Sequence, residues 1–245
     1  MTAHRISRRL FVTTGAGVVG LAVVQTLTAC SSSSSAPSAG RPASAPPSAA
    51  GGTGGWQRVD LGFVSAYLLL RGSEVAVVDT GTAGSGASIA AGLAAAGADW
   101  SAVKHLILTH HHPDHAGGLA EVEPRVKATV YAGAQDAATI VSDRALTSLA
   151  DGDEVFGLQI IGTPGHTAGH VSIFDPSTGT LVAGDALRTE NGLQGANPQY
   201  TADEKAAAAS VKKLAGLDVK VILPGHGAPL TTGAKEALQK LAASG

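Results

Sequence analysis

The sequence predicts a mixed α/β fold in which sheets are covered by helices. Short apolar runs of strand length recur between residues 64 and 223, and they are interleaved with segments whose apolar residues fall at helical spacing. Several of the runs end in Gly- or Pro-bearing turns that present a polar side chain. The folded part starts near Trp56, because residues 31–55 are Ser, Ala, Pro and Gly with one Arg and one Thr and contain no large apolar residue.

Residues 64–70 and 75–78 read as paired strands, with Arg71-Gly72-Ser73 as their turn, and Asp79-Thr80-Gly81 follows. Residues 85–96 are Ala-rich, carry Ile89, Leu93 and Ala96 at helical spacing, and stop at Gly97. Gly81-Thr82-Ala83-Gly84-Ser85-Gly86 looks like a phosphate loop but lacks the Gly-Lys-Ser/Thr ending, so it reads as a βα turn. The run 103–108 is a buried strand with His105 as a structural residue inside it. Further strands are expected at 128–131, 155–161, 171–174, 180–183 and 219–223. A helix between the last two opens with Thr201-Ala202-Asp203-Glu204, a capping-box pattern, and has Ala207, Val211 and Leu214 as its apolar face. A last helix covers about residues 233–242. Ser-x-x-Lys occurs at Ser101–Lys104 and Ser210–Lys213, but no Lys-Thr-Gly or Ser-Asp-Asn accompanies it, which leaves chance as its explanation.

The first 29 residues have the layout of an export signal: basic Arg5, Arg8 and Arg9, an apolar run from residue 10 to residue 29, then Cys30, the chain's sole cysteine. Ser7-Arg8-Arg9-Leu10-Phe11-Val12 resembles a twin-arginine motif, and Leu27-Thr28-Ala29-Cys30 resembles a bacterial lipobox. The expectation is a signal at 1–29, lipid on Cys30, a tether over 30–55, and a body exported and anchored to the outer face of a bacterial cell membrane. An uncleaved anchor is the competing reading, since the apolar run is barely long enough to span a bilayer. As a flexible coil the tether would reach about 25–30 Å. Without the signal the chain has 14 basic against 19 acidic residues, a formal charge of −5. That argues against nucleic-acid binding, which needs a basic surface. With Cys30 committed to lipid, the body has no thiol, which excludes disulfides, cysteine nucleophiles and thiolate metal ligands together.

The chemistry concentrates in Thr109-His110-His111-His112-Pro113-Asp114-His115, where four of the chain's nine histidines and a carboxylate fall within six positions. Pro113 forbids a helix running through the cluster and pushes His112 towards extended backbone, so the histidines are expected on a loop at a strand end. In such a loop His110 and His112 can close on one metal ion, while Asp114 and His115, displaced by the proline, serve a second. Neutral imidazole and carboxylate are ligands that borderline cations such as zinc prefer. Three later strand ends present Gly162-Thr163-Pro164-Gly165-His166, Gly184-Asp185 and Pro224-Gly225-His226. Strand ends in one sheet layer can share an edge, so these loops are expected to converge.

Thr109-His110-x-His112-x-Asp114-His115, Gly165-His166-Thr167, Gly184-Asp185 and Gly225-His226, in this order, resemble the metallo-β-lactamase superfamily, especially its glyoxalase II-like hydrolases. The resemblance covers about residues 57–230 and implies an αββα sandwich with metals at one sheet edge. It implies that His110, His112 and His166 bind a first metal and Asp114, His115 and His226 a second, with Asp185 bridging. Asp114 is also expected as the catalytic carboxylate, and Asp79, in Asp79-Thr80-Gly81, as a support behind the ligands. His170 is expected in a supporting or packing role, and His111 faces away. Residues 187–200 follow Asp185, and Arg188 or Tyr200 is expected to contact substrate.

The implied activity is that of a di-metal hydrolase, with zinc expected although the same ligands accept iron or manganese, using a bridging hydroxide on an ester, thioester, lactone or lactam. Two divalent ions, two carboxylates and a hydroxide leave a charge of about +1, which favours an anionic small-molecule substrate. Glyoxalase II carries a helical glutathione-binding extension after the last ligand; 19 residues follow His226, so a glutathione thioester is not the expected substrate. The alternatives are a mononuclear iron sulfur dioxygenase, which relies on positions of the His110, His112 and Asp185 type, and a non-catalytic metal-binding surface lipoprotein.

Overall fold

The structure, a computed structural model, describes residues 55–245; the expected signal at 1–29, the lipidated Cys30 and the tether as far as residue 54 lie outside the described residues. The chain enters on an antiparallel meander of β1 (Trp56–Asp60), β2 (Ser65–Arg71) and β3 (Glu74–Val78). Helix α1 (Gly86–Ala95) crosses over to β4 (Val103–Leu108), which runs parallel to β3. Two single turns, α2 (Pro113–Ala116) and α3 (Leu119–Val122), lead to β5 (Thr129–Gly133), parallel to β4. After α4 (Ala134–Ala137), β6 (Thr147–Leu149) completes a six-stranded sheet in the order β1-β2-β3-β4-β5-β6.

The second sheet is built from β7 (Glu154–Val155), β8 (Leu158–Gly162), β9 (Val171–Asp175) and β10 (Thr180–Gly184). A small hairpin of β11 (Leu187–Arg188) and β12 (Gln194–Gly195) follows, then α5 (Glu204–Leu214), β13 (Val221–Pro224) and α6 (Ala234–Ser244). The order of this sheet is β13-β10-β9-β8-β7.

Side-chain alternation makes four layers. In β2, Ala66 and Leu68 join Ile89 and Leu93 of α1, whereas Tyr67 and Leu69 point between the sheets at Ile160, Ile173 and Val182. In β10, Leu181 and Ala183 face Val211 and Leu214 of α5 and Leu238 of α6, and Val182 faces inward. Each sheet thus buries both faces, which is the αββα sandwich. Fully burying a Leu or Ile stabilises by roughly 1.5–3 kcal/mol, so the doubly buried strands hold the layers together.

Strand direction explains why the polar loops meet. β3, β4 and β5 are mutually parallel, so Asp79 and the His110 loop leave the first sheet at the same end. β8 and β10 are each antiparallel to β9, and β13 is parallel to β10, so the loops bearing His166, Asp185 and His226 leave the second sheet at one end. The converging ends therefore come from two sheet layers and not from one.

Other expectations need correction. The run 155–161 is not one strand: Phe156 and Gly157 take positive φ, 56° and 69°, and reverse the chain between β7 and β8. The guanidinium of Arg71 lies 5.5 Å over the Phe156 ring and donates to its carbonyl. Helix α5 is capped not by Thr201 but by Asp203, whose carboxylate accepts from Ala206 N–H at 2.9 Å, while the Thr201 hydroxyl donates to the Asn197 carbonyl at 2.7 Å. Pro113 does not keep its loop free of helix; it occupies the first turn of α2, where its missing N–H costs nothing, and His112 before it is extended (φ −62°, ψ 147°).

Candidate metal centre

His110 and His112 leave the carboxyl end of β4, and α2 then winds Asp114 and His115 back over the same spot. His166, from the turn after β8, joins them. The nitrogens His110 Nε2, His112 Nδ1 and His166 Nε2 face one another, with His112 Nδ1 at 3.1 Å from the first and 2.9 Å from the last. Ligands held at 2.0–2.1 Å in a tetrahedron lie about 3.3 Å apart, so this spacing is close to that of a closed metal triad. Asp114, His115 and His226 form a second donor group, and His110, His115 and Asp185 a third that joins the two.

The opposite nitrogen of most rings is fixed. His115 Nδ1 donates to Asp79 Oδ2 at 2.8 Å, His226 Nδ1 donates to the Phe63 carbonyl at 2.8 Å, and His110 Nδ1 lies 3.0 Å from the Thr109 hydroxyl. The second nitrogen of each ring is thereby aimed into the centre. Asp79 takes a left-handed backbone (φ 63°) and also accepts from Thr109 N–H at 2.8 Å and from its hydroxyl. His170 is buried; its Nε2 accepts from Asp185 N–H at 3.0 Å and its Nδ1 pairs with Thr163 Oγ1 at 2.7 Å. Asp79 and His170 therefore stand behind the donors.

Asp185 lies between the two groups. Its Oδ1 is 3.1 Å from His115 Nε2, and its Oδ2 is 3.2 Å from His226 Nε2 and 3.3 Å from His166 Nε2. Asp114 Oδ2 is 3.3 Å from His226 Nε2. The His115–Asp185 contact is an ion pair whose angles do not suit a hydrogen bond. Among the described residues, His115 Nε2 and Asp185 Oδ1 are thus buried polar atoms without a hydrogen-bond partner, the condition that a bound cation relieves.

Titration separates the two donor groups. Burial, with the neighbouring His115, holds His110 well below the ordinary histidine range; burial takes His166 down to about 4 and, with His166 beside it, His170 to about 3. Burial and His111 also lower His112. The first triad is therefore neutral imidazole, the ligand-ready form. For His115 burial opposes the proton, but Asp185 and Asp79 outweigh it and hold the ring well above its ordinary range. His226 is likewise pushed up to about 10, with Asp114 and Asp185 overcoming burial. Burial would raise Asp185, yet His115 and His226 keep it well below the carboxylate range, and Asp114 is lowered by His226 and His115 against burial. Protons on His115 and His226 stand where a cation would balance the same carboxylates.

A cavity of about 420 Å³ opens onto the donors and is walled by Phe63, Pro113, Arg188, Glu190, Asn197 and Tyr200. Both expected substrate-loop residues, Arg188 and Tyr200, reach it, although their segment is not a plain loop but the β11–β12 hairpin and a 3₁₀ turn. Arg188 is braced by the Gly195 carbonyl at 3.3 Å and Glu190 at 3.5 Å. Sequence reading missed Phe63, 63% exposed and stacked on His226 with ring centroids 6.0 Å apart, and it missed Asp136. Phe63 carried no signal beyond the turn before β2; Asp136 stands after a strand end, which was a signal. His111 belongs to none of the three donor groups and turns away from them towards Asp136. The phosphate-loop lookalike is occupied by protein: the Glu121 carboxylate accepts from Gly84 and Gly86 N–H.

Fold and donor set define an αββα sandwich with an imidazole- and carboxylate-rich centre at its rim. The chain belongs to the Metallo-beta-lactamase superfamily, whose sequence pattern matches residues 59–226. It is 35% identical over 139 residues to a hydroxyacylglutathione hydrolase of Dechloromonas aromatica, covering 53% of this chain and 48% of that protein. The chain thus spans about half the length of this curated relative. Among solved structures it resembles TTHA1429, a metallo-beta-lactamase family protein of Thermus thermophilus, with TM-score 0.61 and 28% identity over 78% of this chain and 79% of that one. TTHA1623 in a di-iron-bound form aligns with TM-score 0.55 and 28% identity over 71% of this chain and 92% of that one.

Proposed function

We propose that the protein is a di-metal hydrolase of a small ester, thioester, lactone or lactam. In this reading His110, His112 and His166 hold one ion, Asp114, His115 and His226 the other, and Asp185 lies between them. The observation that carries it is the convergence of seven donors, with the far nitrogens of His110, His115 and His226 held and with His115 Nε2 and Asp185 Oδ1 buried and lacking hydrogen bonds. Two bound divalent ions would supply Lewis acidity and a nucleophile at neutral pH. The chain's own residues orient and shield: Asp79 fixes the tautomer of His115, the Phe63 carbonyl fixes that of His226, and His170 holds the backbone of Asp185. Asp114, at the cavity wall, serves as proton acceptor as well as ligand. Arg188 offers a cation to an anionic substrate, and Phe63 and Tyr200 offer apolar faces to its remainder.

The name of the Dechloromonas relative supports hydrolysis of an acyl bond, and a 420 Å³ cavity suits a small molecule. Zinc is the expected metal; iron is the second reading, favoured by the di-iron form of TTHA1623. A mononuclear sulfur dioxygenase or a purely metal-storing lipoprotein would not need the second donor group and the open cavity together. Export with lipid at Cys30 belongs to the same proposal and rests on residues 1–30 of the sequence. The test is metal content per chain beside Asp185→Ala, followed by an ester, thioester, lactone and lactam panel. Two ions in the wild type, fewer in the variant, and turnover of one class are expected; absence of stoichiometric metal would overturn the reading.

A further inference from the structure

The first donor triad is assembled from two sheets: His112 and His166 are 54 residues apart, and each hangs on a loop at the end of a different layer. Something must fix the distance between these loops to within a few tenths of an ångström if their nitrogens are to share one ion. A backbone bond from Val171 N–H to the Thr109 carbonyl, 2.9 Å, joins the segments behind the ligands. Beside the ligands, the join is made by one side chain.

That side chain is Asp136, on α4, which follows β5 at the same edge. It is 2% exposed and belongs to none of the three donor groups. Its Oδ2 accepts from the N–H of His111, the residue between His110 and His112, at 3.1 Å, and from the Thr167 hydroxyl at 2.6 Å; His111 Nδ1 lies 3.0 Å away. Its Oδ1 accepts from Gly169 N–H at 2.7 Å. One carboxylate thus grips the middle of the His110–His112 pair and both the first and third residues after His166. The grip is tight, because a Cβ on Gly169 would come within 2.3 Å of Asp136 N and 2.7 Å of Oδ1.

We infer that Asp136 is a positioning residue that sets the spacing of the His110–His112–His166 triad by tying its two loops to one buried carboxylate. The inference rests on the proposal that this triad holds a metal ion. Chemistry makes the carboxylate irreplaceable even by its amide. Each of its oxygens accepts from a backbone N–H, and a backbone N–H cannot turn round to accept, so an Asn side chain leaves one of the two facing an N–H donor in either orientation.

The experiment uses the full chain, stripped of metal and titrated with zinc against a chelating indicator, with cobalt absorption as a second readout. His110→Ala and His226→Ala identify which of the two affinities belongs to each donor group. Asp136→Asn is expected to weaken the ion lost in His110→Ala by about 10- to 100-fold and to leave the other affinity near wild type. Thr167→Ala should weaken the same ion to a smaller degree, and Thr167→Ser, which keeps the hydroxyl donor, should restore it. Equal affinities in wild type and Asp136→Asn, or an equal loss at both sites, would overturn the inference. If Asp136→Asn fails to fold, the threonine pair decides: equal binding by Thr167→Ala and Thr167→Ser overturns it. A wild-type chain holding no ion sensitive to His110→Ala would instead sink the metal assignment itself, and with it this inference.

Discussion

Tyr67 shows how a single buried polar atom couples the core to the centre. Its ring fills the space between the sheets, and its hydroxyl donates to the Pro224 carbonyl at 2.7 Å, two residues before His226. Burial pushes its pKa well up, so the group is a neutral donor at any working pH. Tyr67→Phe should therefore leave a buried carbonyl unsatisfied and lower stability by about 1–3 kcal/mol, measured as a shift of the urea midpoint at unchanged slope. Asp79 is the corresponding anchor for His115. Asp79→Asn must give up either the Thr109 N–H or the His115 Nδ1–H bond in part, and we expect zinc affinity of the Asp114–His115–His226 group to fall about 10- to 100-fold; unchanged binding would refute Asp79 as its support. The candidate ligands were legible in sequence because histidine is rare, turn-flanked and repeated at strand ends. Asp136 carried only the weaker signal of following a strand, since an acidic residue in a first helical turn reads equally well as a capping charge.

At the scale of elements, the doubly buried strands could be read from their continuous apolar runs, whereas β1, β6 and β7 could not. Only Trp56 and Val59 are buried in β1, and two of the three residues of β6 are exposed, so too few apolar residues mark a strand and pairing with a neighbour decides them instead. The β7–β8 reversal was hidden because Phe156 extends the apolar run even though it takes left-handed backbone. Gly157→Ala should cost about 1 kcal/mol for its positive φ, and more where its Cβ meets Arg71 Nη1, 2.6 Å away, read as a lowered melting temperature. The segment between α4 and β6 has a different fastening. Buried Glu123 accepts from the Ser142 hydroxyl, Asp143 N–H and Arg144, while Arg144 also donates to the carbonyls of Glu123, Val126 and Ala128. Although burial raises the Glu123 pKa, Ser142 and Asp143 outweigh it and the group sits below its ordinary 4.5. A carboxyl lowered on folding adds stability above its unfolded pKa, and that stability is lost as pH falls through the folded value. The Glu123 contribution should thus be flat near neutral pH and decline below about 4.5, so Glu123→Gln should remove part of the acid-side loss of stability; an identical acid limb in the variant would count against this fastening.

For the whole molecule, the sandwich and its loaded rim explain what the body can do, and its charge bears on where it can stay. Among the described residues no helix is long and apolar enough to cross a membrane. With the signal set aside, the formal charge of −5 gives the body no net attraction to anionic headgroups. In the proposed export, attachment rests on residues 1–30, either as lipid on Cys30 or as the uncleaved apolar run from 10 to 29. The two make opposite predictions for one substitution. Cys30→Ala should move the protein from the membrane pellet to the soluble extracytoplasmic fraction if lipid is the anchor, and should leave it in the pellet if the apolar run is. Replacing Arg8 and Arg9 by Lys tests the step before, and should hold the chain inside the cell with its signal attached. Metal content measured on those retained and exported pools would show whether the seven donors are filled before or after export, because a centre assembled from two sheets can close only on a folded body.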